Sequence, residues 1–500
     1  MRYALNILQI SNPLTKIKLE LLISQFLVLP SSLLLKKANM ENNPEKLHFV
    51  LFPLMAPGHM IPIIDIAKLL AKEDITVTIV TTPVNASRFE STIDRAIKGG
   101  LDIRVSILSF PWKEFGLPEG CENVDLLPSL SYNINFIEAA AKLQEPMENL
   151  LQELEPTPSC LISDLGFTWT TEVARKFNIP RVVFNGTSCF SLLSLHNLIT
   201  YDMLGSVKSD TDSFMVSGLP DRIELTRTQV PNAVHHAGHP LRVEMRKAES
   251  EAFGMLVNSF EELESEYYKR YKEAKGKNTI WCVGPVSLCN QDQLDKEQRG
   301  SLCNFDSSQI MELALGLEAS KQPFILAVRG GHNQHEVERL IEEDGLKNRV
   351  EGRGLIIMGW APQVLILSHP SIGGFLTHCG WNSTIEGISA GVPLITCPLF
   401  SEQFLNSKFV VQVLKVGINI NIENPRMIPG EEARIITLKK ECVKQAVQIV
   451  MDDGKEGKEL RERAERLAER AKKAVDEGGS SSRGLRLMIQ DVIQQTQKGC

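Results

Sequence analysis

From Leu47 onward the chain alternates short apolar runs with stretches whose apolar residues recur every three or four positions. The runs at 47–54, 75–83, 101–110, 158–165 and 180–186 are short and apolar, which predicts strands, the first of them buried. Residues 63–73 and 84–97 have helical spacing between them. Such βαβα order predicts a parallel sheet flanked by helices, with right-handed crossovers. The pattern loosens over 206–240 and returns at 252–260 and 279–285. A second series of strand-like runs follows at 323–328, 354–358, 371–378, 392–397 and 416–422. After Thr437 the chain turns helical and charged, with Glu and Arg four apart on a solvated face. The fold class is therefore α/β, with two tandem doubly wound, Rossmann-like domains expected at 45–285 and 306–478. A linker at 286–305 and a terminal helix at 479–500, packing back toward the first domain, complete the plan. Residues 1–44 are expected to be an extension of no folding consequence. Their cleanest apolar run, 21–29, is too short to span a bilayer.

Composition narrows the function without naming it. The 500 residues are 43% hydrophobic and 23% charged, with a net charge of −7. That balance offers no basic stripe for nucleic acid and no attraction to anionic membranes. An anionic ligand must then be held by local groups. The ten cysteines are scattered singly, with no C-x-x-C and no His at zinc spacing, so they read as free thiols of a reducing compartment. The expected location is the cytoplasm. The "HHAGH" stretch (His235, His236, His239) has no accompanying carboxylate or thiol and predicts no metal site.

The chemistry concentrates in "SIGGFLTHCGWNSTIEGISAG", residues 371–391, which reads as strand, turn and helix. Asn382 and Ser383 fall in the first helical turn, beside free backbone N–H groups, with His378 in the turn before them. Amide donors, a carboxamide, a hydroxyl and an imidazole make a pocket for phosphate. Glu386, further along the helix, would repel a phosphate but can accept two hydrogen bonds from the vicinal hydroxyls of a ribose. Gly387–Gly391 matches G-x-S-x-G, yet it ends a helix and precedes a strand, the reverse of a nucleophile elbow. Upstream, Trp360 sits after a strand, where an indole can stack on a flat base. Downstream, Glu402 and Gln403 end the next strand, where they can hydrogen-bond a polyol.

From Trp360 to Gln403, 44 residues, the chain resembles the signature box of the plant secondary-product UDP-glycosyltransferases. These are inverting enzymes of the two-domain GT-B fold, whose domains face a cleft. The resemblance implies that Trp360, with Ala361 beside it, stacks on uracil and that Gln363 lies near base and ribose. It implies that Glu386 binds the ribose hydroxyls, that His378, Asn382 and Ser383 hold the diphosphate, and that Trp381, Glu402 and Gln403 contact the sugar. Gln403 at the end of the box suggests glucose as the donor sugar. Glu402 stands where Asp is commoner, and both accept hydrogen bonds.

Glucosyl transfer to an alcohol needs a base of near-neutral pKa. His59 lies in "MAPGHMIP", read as a loop after the first strand, and Asp164 ends a neighbouring strand within plausible reach. Members of the family that the chain resembles carry their catalytic His and its Asp partner at the matching positions. Thr187 matches a position that contacts the donor sugar. No metal or other cofactor is implied. The expected partners are a UDP-sugar and a small hydrophobic hydroxylated acceptor of triterpenoid, steroid, flavonoid or cytokinin type. Nucleic acid and stable membrane insertion are not expected, and the chain is expected to be a monomer.

One departure stands out. Relatives carry a helix and the first strand of the second domain ahead of a Gly-Ser that touches phosphate. Here Gly300-Ser301 has no apolar run before it. About 30 residues, the size of a βα unit, are expected to be absent. Each buried ladder group left unpaired would cost about 1–3 kcal/mol. An imperfectly assembled gene and an inactive paralogue that still binds nucleotide sugar are the two explanations.

Overall fold

The computed structural model describes residues 4–10, 46–290, 306–329, 334–420, 423–427 and 434–498. Strand β1 (Ala4–Ile10) comes first in the chain and joins the second sheet, below. The first sheet is built from β2 (His48–Phe52), β3 (Thr76–Thr81), β4 (Ile103–Ile107), β5 (Cys160–Asp164) and β6 (Arg181–Asn185). After the separate hairpin β7 (Ser213–Met215) and β8 (Glu224–Thr226), it is completed by β9 (Gly254–Val257) and β10 (Ile280–Cys282). Its order is β10-β9-β6-β5-β2-β3-β4, parallel throughout. Strands β2, β3 and β5 are buried on both faces, as their unbroken apolar runs require. Numbered outward from β2, this is doubly wound order, with the ligand crevice at the carboxyl ends beside β2 and β5.

The second sheet contains β11 (Phe324–Arg329), β12 (Gly354–Met358), β13 (Ile372–Thr377), β14 (Leu394–Thr396) and β15 (Gly417–Asn419). Two further strands, β16 (Glu423–Met427) and β17 (Arg434–Thr437), form a hairpin of their own. The order of the second sheet is β12-β11-β1-β13-β14-β15. The central position, where the sequence predicts a gap, is held by β1. It runs antiparallel to both neighbours, pairing Ala4–Gln9 with β11 and Ile7–Ile10 with β13. Part of the extension expected to lie outside the fold thus supplies the ladder partners that β11 and β13 would lack. The reason is general: an exposed pair of inner strand edges is a template for any extended segment within reach.

The two domains share apolar packing. Phe190 of the first domain stacks on Phe409 of the second, with centroids 5.0 Å apart. The helix Ser480–Lys498 returns to the first domain, where Met488 and Val492 are fully buried and Asp491 accepts from Trp281 Nε1 at 3.0 Å. Among the described residues eight cysteines are free thiols, six of them buried. No helix among them is long and apolar enough to cross a membrane.

Candidate active site

His59 is not on a loop. It lies in the first turn of the helix Pro57–Lys72, which starts two residues before it. Proline at the first helical position has no N–H to waste there and a preset φ, so "APGH" opens a helix where it had read as a Pro/Gly loop. Pro62 sits inside the same helix. It has no N–H to offer the carbonyl four residues back, which is Gly58. That carbonyl instead accepts from Asn382 Nδ2 of the second domain at 2.7 Å.

Strand β5 ends on Asp164, whose side chain is 4% exposed and whose Oδ2 lies 2.5 Å from His59 Nδ1. Its other oxygen accepts from the Gly166 N–H at 3.1 Å. His59 Nε2 is thereby left as the free-facing nitrogen of a ring 38% exposed. Burial acts to lower the pKa of this imidazole, but the Asp164 carboxylate, aided by Glu402 across the cleft, raises it above the ordinary value. A neutral His59 with its Nδ1 proton on Asp164 can accept a proton at Nε2 and be stabilised once charged.

His59 and Asp164 open onto a cavity of about 620 Å³ whose walls are mainly apolar, among them Phe184, Leu192, Leu195 and Ile199. Thr187 lines it too, with a buried Oγ1 that has no hydrogen-bond partner. Ser401 and Glu402 close the cavity from the second domain. Ser401 has φ +54, a left-handed conformation uncommon for a residue with a side chain and typical of functional turns.

The helix Trp381–Ala390 follows β13 through a turn in which Cys379 takes φ +65. Gly380 is its N-cap and provides no side-chain acceptor, so the first-turn N–H groups of Trp381, Asn382 and Ser383 are left for a ligand. Asn382 Oδ1 is buried without a partner. His378 is 4% exposed, and burial lowers its pKa to about 4, so it stays neutral and can donate one N–H without carrying charge. Gln363 Nε2 donates to Glu386 Oε2 at 2.7 Å and to Ser383 Oγ at 3.1 Å, while its own Oε1 is buried and unpartnered. Gln363 thus fixes the Glu386 carboxylate over the helix, and its free oxygen awaits a donor. Trp360 is 39% exposed, with Ala361 buried beside it.

Two residues do something other than expected. The Trp381 indole is 2% exposed and donates Nε1–H to the Asn258 carbonyl of the first domain at 2.7 Å. Its side chain joins the domains, and only its backbone N–H belongs to the free first turn of the helix. Gln403 is 3% exposed, and its Oε1 accepts from the N–H groups of Leu399 and Phe400. It braces the turn that carries Glu402, leaving only Nε2 for a sugar. Ser301 lies outside the described residues. Among the described residues no group of three or more His, Cys, Asp or Glu could hold a metal ion. The Ser389 hydroxyl of the G-x-S-x-G match donates to the Ile385 carbonyl within its own helix.

Asn406 was missed. It is fully buried, donates to the Cys379 carbonyl at 2.9 Å and accepts from Ser191 Oγ at 2.9 Å, tying the strained turn to the first domain. The sequence carries no clear signal for it: the helix Gln403–Lys408 reads QFLNSK, where an Asn does not stand out.

A family model described as UDP-glucoronosyl and UDP-glucosyl transferase matches residues 300–452. UDP-glycosyltransferases 73C2 and 73C3 of Arabidopsis thaliana are 46% and 48% identical to the chain, over 90% of it and 97% of each relative. The chain belongs to the plant UDP-glycosyltransferases. The alignment with 73C2 runs over 482 positions but takes in 90% of the 500 residues, about 450, so about 30 positions of the relative have no counterpart here. Among solved structures, Glycyrrhiza uralensis UGT73P12 complexed with glycyrrhetinic acid 3-O-monoglucuronide superposes with TM-score 0.82 at 33% identity, over 91% of this chain and 97% of that one. Phytolacca americana UGT2 complexed with UDP-2fluoro-glucose and pterostilbene gives 0.70 at 26%, over 89% and 100%. Solved structures of this family hold a UDP-sugar and an acceptor, as that of Phytolacca americana UGT2 does.

Proposed function

We propose that this UDP-glycosyltransferase moves glucose from UDP-glucose to a hydroxyl of a small apolar plant metabolite, with inversion and without a metal, as a cytoplasmic monomer. The observation that carries this reading is the His59–Asp164 contact, 2.5 Å, at the mouth of an apolar cavity and opposite the amino end of the helix Trp381–Ala390. His59 Nε2 takes the proton of the acceptor hydroxyl. The acceptor oxygen then attacks the anomeric carbon from the face away from UDP. The bond from that carbon to the β-phosphate oxygen breaks, and its electron pair leaves with UDP. The backbone N–H groups of the first turn, Asn382, Ser383 and neutral His378 hold the diphosphate, which needs no cation when such donors converge. Gln363 presents Glu386 to the ribose, and Trp360 stacks on uracil. Glu402 and the Gln403 amide nitrogen hydrogen-bond the hexose, with Thr187 contributing from the other wall.

The test is turnover of UDP-glucose, UDP-galactose and UDP-glucuronate with a panel of phenols and sterols, read by UDP release and by the anomeric coupling of the product. A β-glucoside that disappears in His59→Ala is the expected result. A retained configuration, or full activity in His59→Ala, refutes the mechanism. The rival, a chain that binds nucleotide sugar without turning it over, draws on the antiparallel β1 at the centre of the donor sheet. Its signature is saturable UDP binding with no product from any pair.

A further inference from the structure

Asn406 has no place in the transfer steps above, yet it holds the turn that precedes the helix Trp381–Ala390. It lies on the helix Gln403–Lys408 and is fully buried, as are Cys379, Ser188 and Ser191 around it. Its Nδ2 donates to the Cys379 carbonyl at 2.9 Å. Its Oδ1 accepts from Ser191 Oγ at 2.9 Å and from Ser188 Oγ at 3.3 Å. A carbonyl can only accept, so the carboxamide has one orientation that serves all three groups. Burial leaves them no solvent to fall back on.

The turn needs such a brace. Cys379 has φ +65, a conformation that a residue with a side chain keeps only where its surroundings over-determine it. Its N–H donates to Thr377 Oγ1 at 3.2 Å and its carbonyl accepts from Asn406, so side chains fix both backbone groups. The peptide from Cys379 to Gly380 is planar, and its N–H points away from its carbonyl. Fixing the carbonyl therefore fixes the plane from which the helix starts, with Gly380 as N-cap. The free N–H groups of Trp381, Asn382 and Ser383 inherit that direction. Gly380 cannot carry a capping side chain of its own, because a Cβ there would lie 2.4 Å from His378 Nε2.

The oxygen end of the carboxamide reaches the first domain. Ser188 is the N-cap of the helix Cys189–Thr200 and accepts from the Ser191 N–H at 3.0 Å. Leu192, Leu195 and Ile199 of that helix line the cavity that His59 also lines. One carboxamide thus joins the turn before the helix Trp381–Ala390 to a wall of that cavity.

Resting on the reading of the helix Trp381–Ala390 as the diphosphate site, we propose that Asn406 is a positioning residue for the donor. It aims the first-turn N–H groups at the diphosphate, and through Ser188 and Ser191 it makes that aim depend on the first domain. It touches no substrate itself.

The experiment uses the full chain, N406L, S191A and the double variant N406L/S191A. Leucine keeps the shape of asparagine and removes both arms, whereas Ser191→Ala removes one hydroxyl of the first domain. UDP affinity and stoichiometry are read by calorimetry, and the donor KM and kcat by UDP release. A buried carbonyl left unpaired predicts that N406L binds UDP about 10- to 100-fold more weakly at full stoichiometry, with a matching rise in donor KM. S191A should weaken UDP binding by about 2- to 10-fold although it lies in the other domain, and should cost nothing further in N406L. A merely structural role would instead lower the fraction of active chains and leave the affinity of the remainder unchanged, which overturns the proposal. An S191A effect of equal size in both backgrounds overturns it too. Should N406L not fold, S191A decides alone, and unchanged UDP affinity there is fatal. A wild-type chain that gives this pattern but no product keeps the positioning role and sinks the transferase reading. One that binds no UDP sinks both.

Discussion

Replacing Asp164 with Asn keeps the size of the side chain and removes the charge facing His59. Two unit charges about 4 Å apart at an effective dielectric of 20 attract by about 4 kcal/mol. The His59 ring is 38% exposed, so solvent screening reduces this to about 2 kcal/mol, or a factor of ~30 in the stability of the imidazolium formed in transfer. A second loss adds to it. An Asn amide can donate to Nδ1, which forces the ring proton onto Nε2 and blocks the nitrogen that must accept. Together these predict a fall in kcat/KM of about 10²- to 10⁴-fold. The assay is UDP release at saturating UDP-glucose from about pH 5 to 9. Since Asp164 and Glu402 outweigh burial and raise the His59 pKa, the acid limb of the wild-type profile should lie above the ordinary imidazole value, and Asp164→Asn should move it down. The same sign holds for stability: this pair stabilises the fold most below the ordinary His value and ceases to do so as pH rises through the raised one. A limb that stays put, or a rate loss below about threefold, refutes the assignment of Asp164 as the partner of a general base.

Three further outcomes are expected. Pro62→Ala restores an N–H that competes for the Gly58 carbonyl. Loss of the Asn382 bridge between the domains should then weaken UDP binding by about 2- to 12-fold, read by calorimetry, even as the helix itself gains stability. Leu8→Pro in β1 removes a ladder donor from the centre of the second sheet and should destabilise that domain by about 3 kcal/mol or more, seen as an earlier unfolding step and lost UDP binding while the first domain resists protease. Burial pushes the Glu264 carboxyl up to about 7, although the N–H groups of Cys189 and Phe190 and the Ser259 hydroxyl donate to it. The folded state therefore loses about 3 kcal/mol from this group as pH rises from about 4.5 through 7, and Glu264→Gln should flatten that part of the stability profile measured by denaturant titration.

The strands were legible because burial on both faces leaves unbroken apolar runs such as "FVLF", and no other pressure produces them at that spacing. The donor side was legible for a chemical reason: "HCGWNSTIE" mixes groups that a core helix does not need. What could not be read was set by partners far away in sequence. Trp381 looked like a ligand contact, and its indole N–H meets a carbonyl 123 residues away. Asn406 carries no motif, and its role comes from the Cys379 carbonyl and the Ser191 hydroxyl, 27 and 215 residues away. The start of the helix at Pro57 was obscured by proline and glycine, which signal both a break and an opening. Residues 4–10 carry a strand-like pattern, but nothing local says that the sheet they join lies more than three hundred residues downstream.

Because β1 runs against its neighbours, Ala4 lies level with Arg329, at the rim formed by the carboxyl ends of β11 and β13. A purification tag or fluorescent fusion placed ahead of it would start from the side of the sheet proposed above to take the UDP-sugar. Recombinant material intended for kinetics is better handled from the other terminus, beyond the helix that ends at Lys498 against the first domain.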